Sequence, residues 1–90
     1  MQQVLEAVSG NAIEAALQAA AQERTRQGEH RRSLEIGVEQ ARYQARLAER
    51  RYEAVDPEQR WVAGELEARW NQALERVREV EAKCVKFDQR

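Results

Sequence analysis

The chain has 90 residues, 34% of them charged and only 6% aromatic, with 15 Lys and Arg against 16 Asp and Glu. So short a chain is one small domain at most, or a piece of a larger protein, and it has few large side chains with which to fill a globular core. Interspersed charges summing to −1 argue against a dedicated nucleic-acid surface, one cysteine excludes an internal disulfide, and no apolar run approaches the roughly 20 residues that span a bilayer. Ala, Glu, Arg, Gln and Leu dominate and breakers are sparse, which is the composition of long helices or coiled coils. No basic head followed by an apolar stretch opens the sequence, as it would in a signal peptide, so a cytoplasmic location is expected.

Val4, Leu5 and Val8 predict a short N-terminal helical turn that ends at Ser9-Gly10, with residues 1–10 as turn and linker and Ser9 as the N-cap of the next helix. That long helix is expected over residues 11–55, which contain no proline and only Gly28 and Gly37 as breakers. A four-three alternation runs through it: Ile13, Leu17, Ala20, Arg24, Gln27, Arg31, Leu34, Val38, Ala41, Ala45, Ala48, Tyr52 and Val55. Except at Arg24, Gln27 and Arg31 this row is apolar, the stripe of an amphipathic coiled-coil helix. Gly28, about 1 kcal/mol worse than alanine inside a helix, marks the expected bend.

Proline disfavours helical geometry at the residue before it, so the first helix is expected to stop at Val55. A tight turn at residues 56–57 then leads directly into a second helix over 58–88. Asp56 is read as its N-cap, Pro57 as its first residue, and Gln59 as reaching back in a capping box. The second helix repeats the alternation with Ala63, Leu66, Trp70, Ala73, Val77, Val80, Cys84 and Phe87, and Trp61, Val62 and Leu74 broaden its apolar face. Glu65 with Arg69 and Glu79 with Lys83 have the i,i+4 spacing that adds a few tenths of a kcal/mol per pair.

Two helices joined by so short a turn must run antiparallel. The fold class expected is therefore all-α, an antiparallel two-helix coiled-coil hairpin preceded by a short helical turn. Its seam comprises Leu34, Val38, Ala41, Ala45, Ala48 and Tyr52 against Leu66, Trp70, Ala73, Val77 and Val80. Counting outward from the turn places Tyr52 by Trp61 and Val62, Ala45 by Trp70, and Arg31 by Cys84. Small alanines then lie opposite bulky Leu66 and Trp70, which lets the seam close. Because the first helix is the longer, Ile13 and Leu17 extend past the second, to be covered by the opening turn or by another chain.

Little in the sequence points to chemistry. A zinc site needs three or four closely spaced ligands, and the chain has one cysteine and one histidine, so neither metal nor other cofactor is expected. Ser9, Thr25 and Ser33 have no base beside them, no phosphate-binding glycine loop is present, and no catalytic residues are assigned. Arg24, Arg26, His30, Arg31 and Arg32 form the one basic concentration. They read as a solvated face offset by Glu23 and Glu29, or alternatively as contacts to DNA phosphates.

The turn reads Arg51-Tyr52-Glu53-Ala54-Val55-Asp56-Pro57-Glu58-Gln59-Arg60, followed by Val62-Ala63, Leu66-Glu67, Trp70 and Ala73-Leu74, with Ala41-Arg42-Tyr43 upstream. This stretch resembles the C-terminal coiled-coil region of large serine recombinases, the resolvase/invertase-type site-specific recombinases. The likeness covers residues 33 to 82; Gln59 stands where asparagine is common and Trp61 where an aliphatic residue is usual. The resemblance implies a fragment of a longer protein: a hairpin on a DNA-binding body that contacts other subunits during synapsis of two DNA sites. The family's catalytic serine, arginines and zinc ligands lie in other domains, so none is assigned here.

The expectation is thus a non-catalytic interaction module whose partner is a second copy or another subunit of the same recombinase, without membrane or small-molecule partner. Tyr52, Trp61, Val62, Ile13 and Leu17 are the candidate partner contacts, and the tip carrying Tyr52, Trp61 and Val62 is the expected hot spot. The alternatives are a structural or oligomerisation hairpin with no role on DNA, and weak binding to nucleic-acid backbones through residues 24–32.

Overall fold

A computed structural model describes the backbone of residues 2–89 and the side chains of residues 10–89. The protein is all-α, with two long helices packed against each other as a hairpin: α1 spans Gln2–Ala54 and α2 spans Arg60–Asp88. By internal packing the chain divides into two units, residues 1–30 and residues 31–90.

The described residues of the first unit all belong to α1. The break expected at Ser9-Gly10 is not there, since α1 is helical from Gln2 onward and no described glycine has a positive φ. A single glycine costs a helix about 1 kcal/mol, which the strong helix formers around it offset. The same holds at Gly28, where the helix also continues. The side chains of Val4, Leu5 and Val8, expected to pack as a separate turn, lie outside the described residues. Residues 10–30 are exposed throughout, and local bonds decorate their surface: Thr25 Oγ1 donates to the Ala21 carbonyl (3.1 Å), Gln27 Nε2 donates to Glu23 (3.3 Å), and Arg26 pairs with Glu23 (2.6 Å).

The second unit is the hairpin. Every seam position read from the sequence between Leu34 and Val80 is buried or half-buried. Val38, Ala41, Ala45 and Val80 are the most enclosed, at 7–8% exposure. Val38, Ala41 and Val80 form the centre of the seam, with Val77 and Cys84 packed against them. Alanine at positions 41 and 45 lets the helices approach closely enough for so few residues to shut out water.

The connection differs from the sequence reading. Helical structure stops at Ala54 and resumes at Arg60, leaving five residues, 55–59, between the helices where a two-residue turn was expected. Asp56 does not cap α2. Its Oδ1 accepts from the Glu58 amide (3.0 Å), and its carbonyl accepts from the Gln59 amide (3.0 Å). Asp56-Pro57-Glu58-Gln59 is therefore a β-turn with aspartate first and proline second, the positions each favours for its own physical reason. Gln59 is the N-cap, its carbonyl accepting from Ala63 (2.9 Å), and no side chain caps the helix, so the expected capping box is absent. Asp56→Ala, which removes the side-chain bond, is expected to cost about 0.5–1.5 kcal/mol, whereas Pro57→Ala stays within about 1 kcal/mol because only the turn's entropic bias is lost. Denaturation midpoints of the two variants check this ranking.

The register is shifted as well. Tyr52 stacks on Trp70, with ring centroids 5.6 Å apart and planes tilted by 32°, and not on Trp61 or Val62. Arg31 meets Asp88 in an ion pair and lies 6.0 Å from the centre of the Phe87 ring, beyond the Cys84 level expected for it. These contacts fall farther along α2 than a count from a two-residue turn gives, by roughly one turn for Arg31 and more than two for Tyr52. Two causes combine. The longer connection does not tie the first turn of α2 to the last turn of α1 as a two-residue turn would, so α2 can be offset along α1. Side chains also lean toward the N-terminus of their own helix, away from the turn on α1 and toward it on α2, so each α1 side chain meets an α2 partner whose Cα lies farther from the turn.

Candidate functional site

The sequence assigns no reacting groups, so the candidate site is sought among the surfaces that the two helices leave open. Three surfaces bear on this: the tip, the exposed stripe near the N-terminus, and the basic segment.

The tip is set by the start of α2. Trp61 follows the N-cap by two residues and is 93% exposed, and Val62 beside it is 46% exposed. Both sit in the first turn of α2, and the residues that line the hollows beside them all belong to α2. Tyr52, expected to join them, is instead half-buried against Trp70. It belongs to the hairpin's own packing and leaves Trp61 and Val62 as the tip's apolar pair. Shallow hollows flank the indole, one lined by Arg60, Gly64 and Glu65, the other by Val62, Leu66 and Arg69. Arg69 is held in its i,i+4 pair with Glu65 (3.2 Å), as the spacing predicts.

Ile13 and Leu17 are 59% and 66% exposed. They continue the α1 seam row into a stretch where every described side chain is exposed. The helix through Ser9-Gly10 means that residues 2–8 do not turn back over them.

Among the basic residues, three are matched to carboxylates: Arg26 to Glu23 (2.6 Å), Arg31 to Asp88, and Arg32 to Glu35 (3.6 Å). Arg24 is exposed. Phosphates would have to compete with these pairs, whose exposure keeps each worth under about 1 kcal/mol. No described helix is long and apolar enough to cross a membrane, and among the described residues no group of three or more His, Cys, Asp or Glu is placed to hold a metal ion.

No family model, curated protein or solved structure matches the chain.

The sequence reading missed the polar contacts that cross the seam. Arg42 donates through Nε and an Nη to one Glu81 oxygen (3.2 and 3.0 Å), and Arg31 reaches both Asp88 and Phe87. The signal was present in the sequence, because Arg42 and Glu81 each come directly after a seam residue, a position from which charges pair across antiparallel helices. Finding the pair required the true register. Glu79, expected with Lys83, is taken by Arg76 (3.3 Å).

Proposed function

We propose that the chain is a non-catalytic docking hairpin of a site-specific DNA recombinase of the large serine type, and that its tip contacts another subunit when two DNA sites are brought together. The observation that carries the docking part is Trp61, an indole 93% exposed at the start of α2 with Val62 beside it. Leaving so large an apolar ring in water has no benefit to the hairpin, and tryptophan is the side chain most enriched at the energetic centres of interfaces. The hairpin acts as a spacer: its seam fixes the distance from the body of the protein to the tip, and the crossing pairs Arg42–Glu81 and Arg31–Asp88 hold the two helices in register.

The recombinase part rests on the likeness of residues 33 to 82, strongest at Tyr52, Asp56-Pro57-Glu58 and Trp70. The reading frame that encodes the chain tests it: a resolvase-type catalytic domain upstream is expected, and its absence removes the recombinase reading while leaving a docking hairpin. In the recombinase, Trp61→Ala is expected to reduce synapsis of two sites by at least roughly tenfold, the loss expected of an interface hot spot, while binding to a single site is unchanged. Equal loss of both, or of neither, counts against the tip as the contact.

A further inference from the structure

The two flanks of α1 in the hairpin differ in charge. Between Ser33 and Leu47, every charged residue (Glu35, Glu39, Arg42 and Arg46) falls on one flank, the one from which Arg42 crosses to Glu81. The other flank carries Ile36, Gly37, Gln40, Tyr43, Gln44 and Leu47 and is uncharged over four turns. A solvated helix face in a chain that is 34% charged would be expected to hold several charges. On this uncharged flank Tyr43 is 54% exposed, and a side chain added at Gly37 would meet nothing within 4 Å. A groove of about 600 Å³ opens here between the helices, with Gly37, Gln40, Ala41 and Tyr43 from α1 and Ala73 and Val80 from α2 in its walls. Its walls reach round α1 to one residue of the charged flank, Glu39, and take one cation from α2, Arg76, which is paired with Glu79 (3.3 Å).

We propose that this groove is the contact between two copies of the chain, packed antiparallel about a two-fold axis at Gln40. The pattern is self-complementary, as a two-fold interface requires. Antiparallel pairing centred on Gln40 sets Tyr43 of each copy over Gly37 of the other, a bulky knob against an open hole, and repeats that contact symmetrically. It sets the Gln40 amides, each both donor and acceptor, against one another. The lining charges do not oppose pairing, since Glu39 and Arg76 are of opposite sign. A groove of one sign would repel its own copy; this one has none in excess. Ala41 and Val80, which line it, belong to the seam cluster with Val38, so the second copy would extend that core along this side. The contact is separate from the tip and does not depend on the recombinase reading.

Three measurements on the full chain test it. Sedimentation at about 0.1 mM, well above a micromolar Kd, should show a dimer. Gly37→Tyr and Tyr43→Ala should each weaken it about tenfold or more, and the double variant, which exchanges knob and hole, should recover most of the loss. Both sites are open to solvent in the hairpin, so helicity should be retained in all three. With Cys84→Ser as background, Gln40→Cys should form a disulfide-linked dimer on mild oxidation and Arg46→Cys on the charged flank should not. The proposal is overturned by a monomer at that concentration, by a dimer indifferent to Gly37 and Tyr43, by a double variant no better than the singles, or by equal cross-linking from positions 40 and 46. A dimer dissolved only by Trp61→Ala would place self-association at the tip and likewise overturn it.

Discussion

Trp70→Ala should lower the stability of the hairpin by about 2–4 kcal/mol, a discount from the 3–5 kcal/mol typical of enclosed aromatic residues because Trp70 is half-buried. The loss has two sources. The indole fills the seam between the tip and the alanine-lined centre, and its removal leaves that stretch of the seam open. Tyr52 also loses the ring on which it stacks at 5.6 Å, a contact worth about 0.5–1.5 kcal/mol beyond the area it buries. A double-mutant cycle with Tyr52→Ala isolates that second part, and coupling near zero would show that the stacking carries no energy. Chemical denaturation followed by circular dichroism gives the total, and a loss below about 0.5 kcal/mol would mean that the seam does not depend on its largest side chain.

A larger loss is expected from Ala41→Asp. Ala41 is 8% exposed, in contact with the Val38 and Val80 cluster, and its neighbours one turn away on α1, Gly37 and Ala45, carry no charge. The substitution places a carboxylate where an alanine lets the helices close. Arg76, the cation lining the adjacent groove, is engaged by Glu79 (3.3 Å). An uncompensated buried charge costs about 3–5 kcal/mol, and the added volume separates the helices further. Because burial disfavours the ionised form, the new carboxyl has a pKa above its unfolded value. It therefore binds its proton more tightly folded than unfolded. Its destabilising effect should be smallest below about pH 4 and should grow as pH rises toward the raised pKa. Urea titrations of variant and parent across that range measure the difference between them. A deficit independent of pH would assign the damage to volume alone. A deficit that shrinks with rising pH would show the charge to be stabilised by a cation the structure does not place beside it.

The seam was legible because periodicity depends only on which residues are apolar and how they are spaced. From Leu34 to Val80 each residue read as seam is withdrawn from solvent, and Cys84 and Phe87 continue the row. The antiparallel sense came just as directly from Asp56-Pro57. The helix limits were less accessible. Ser9-Gly10 has the local chemistry of a boundary, yet the surrounding helix formers carry α1 through it. Asp-Pro suits both a helix N-terminus and a β-turn, and local chemistry cannot separate two uses that satisfy the same amide donors.

That ambiguity spread into the candidate site. The longer connection and the lean of the side chains together place Tyr52 against Trp70, away from the tip where Trp61 stands exposed. They also set Arg42 against Glu81, a pair no count along the chain had joined. The sequence by itself determined that this protein is helical, where it reverses, and which face of each helix turns inward, because each depends on side chains a few residues apart. Tertiary structure alone decided the axial offset of the two helices, and with it which side chains meet and which remain in water. The offset is a balance between the path of the connection, the lean of the side chains and the fit of large residues against small ones across the seam, and none of these is a property of one helix.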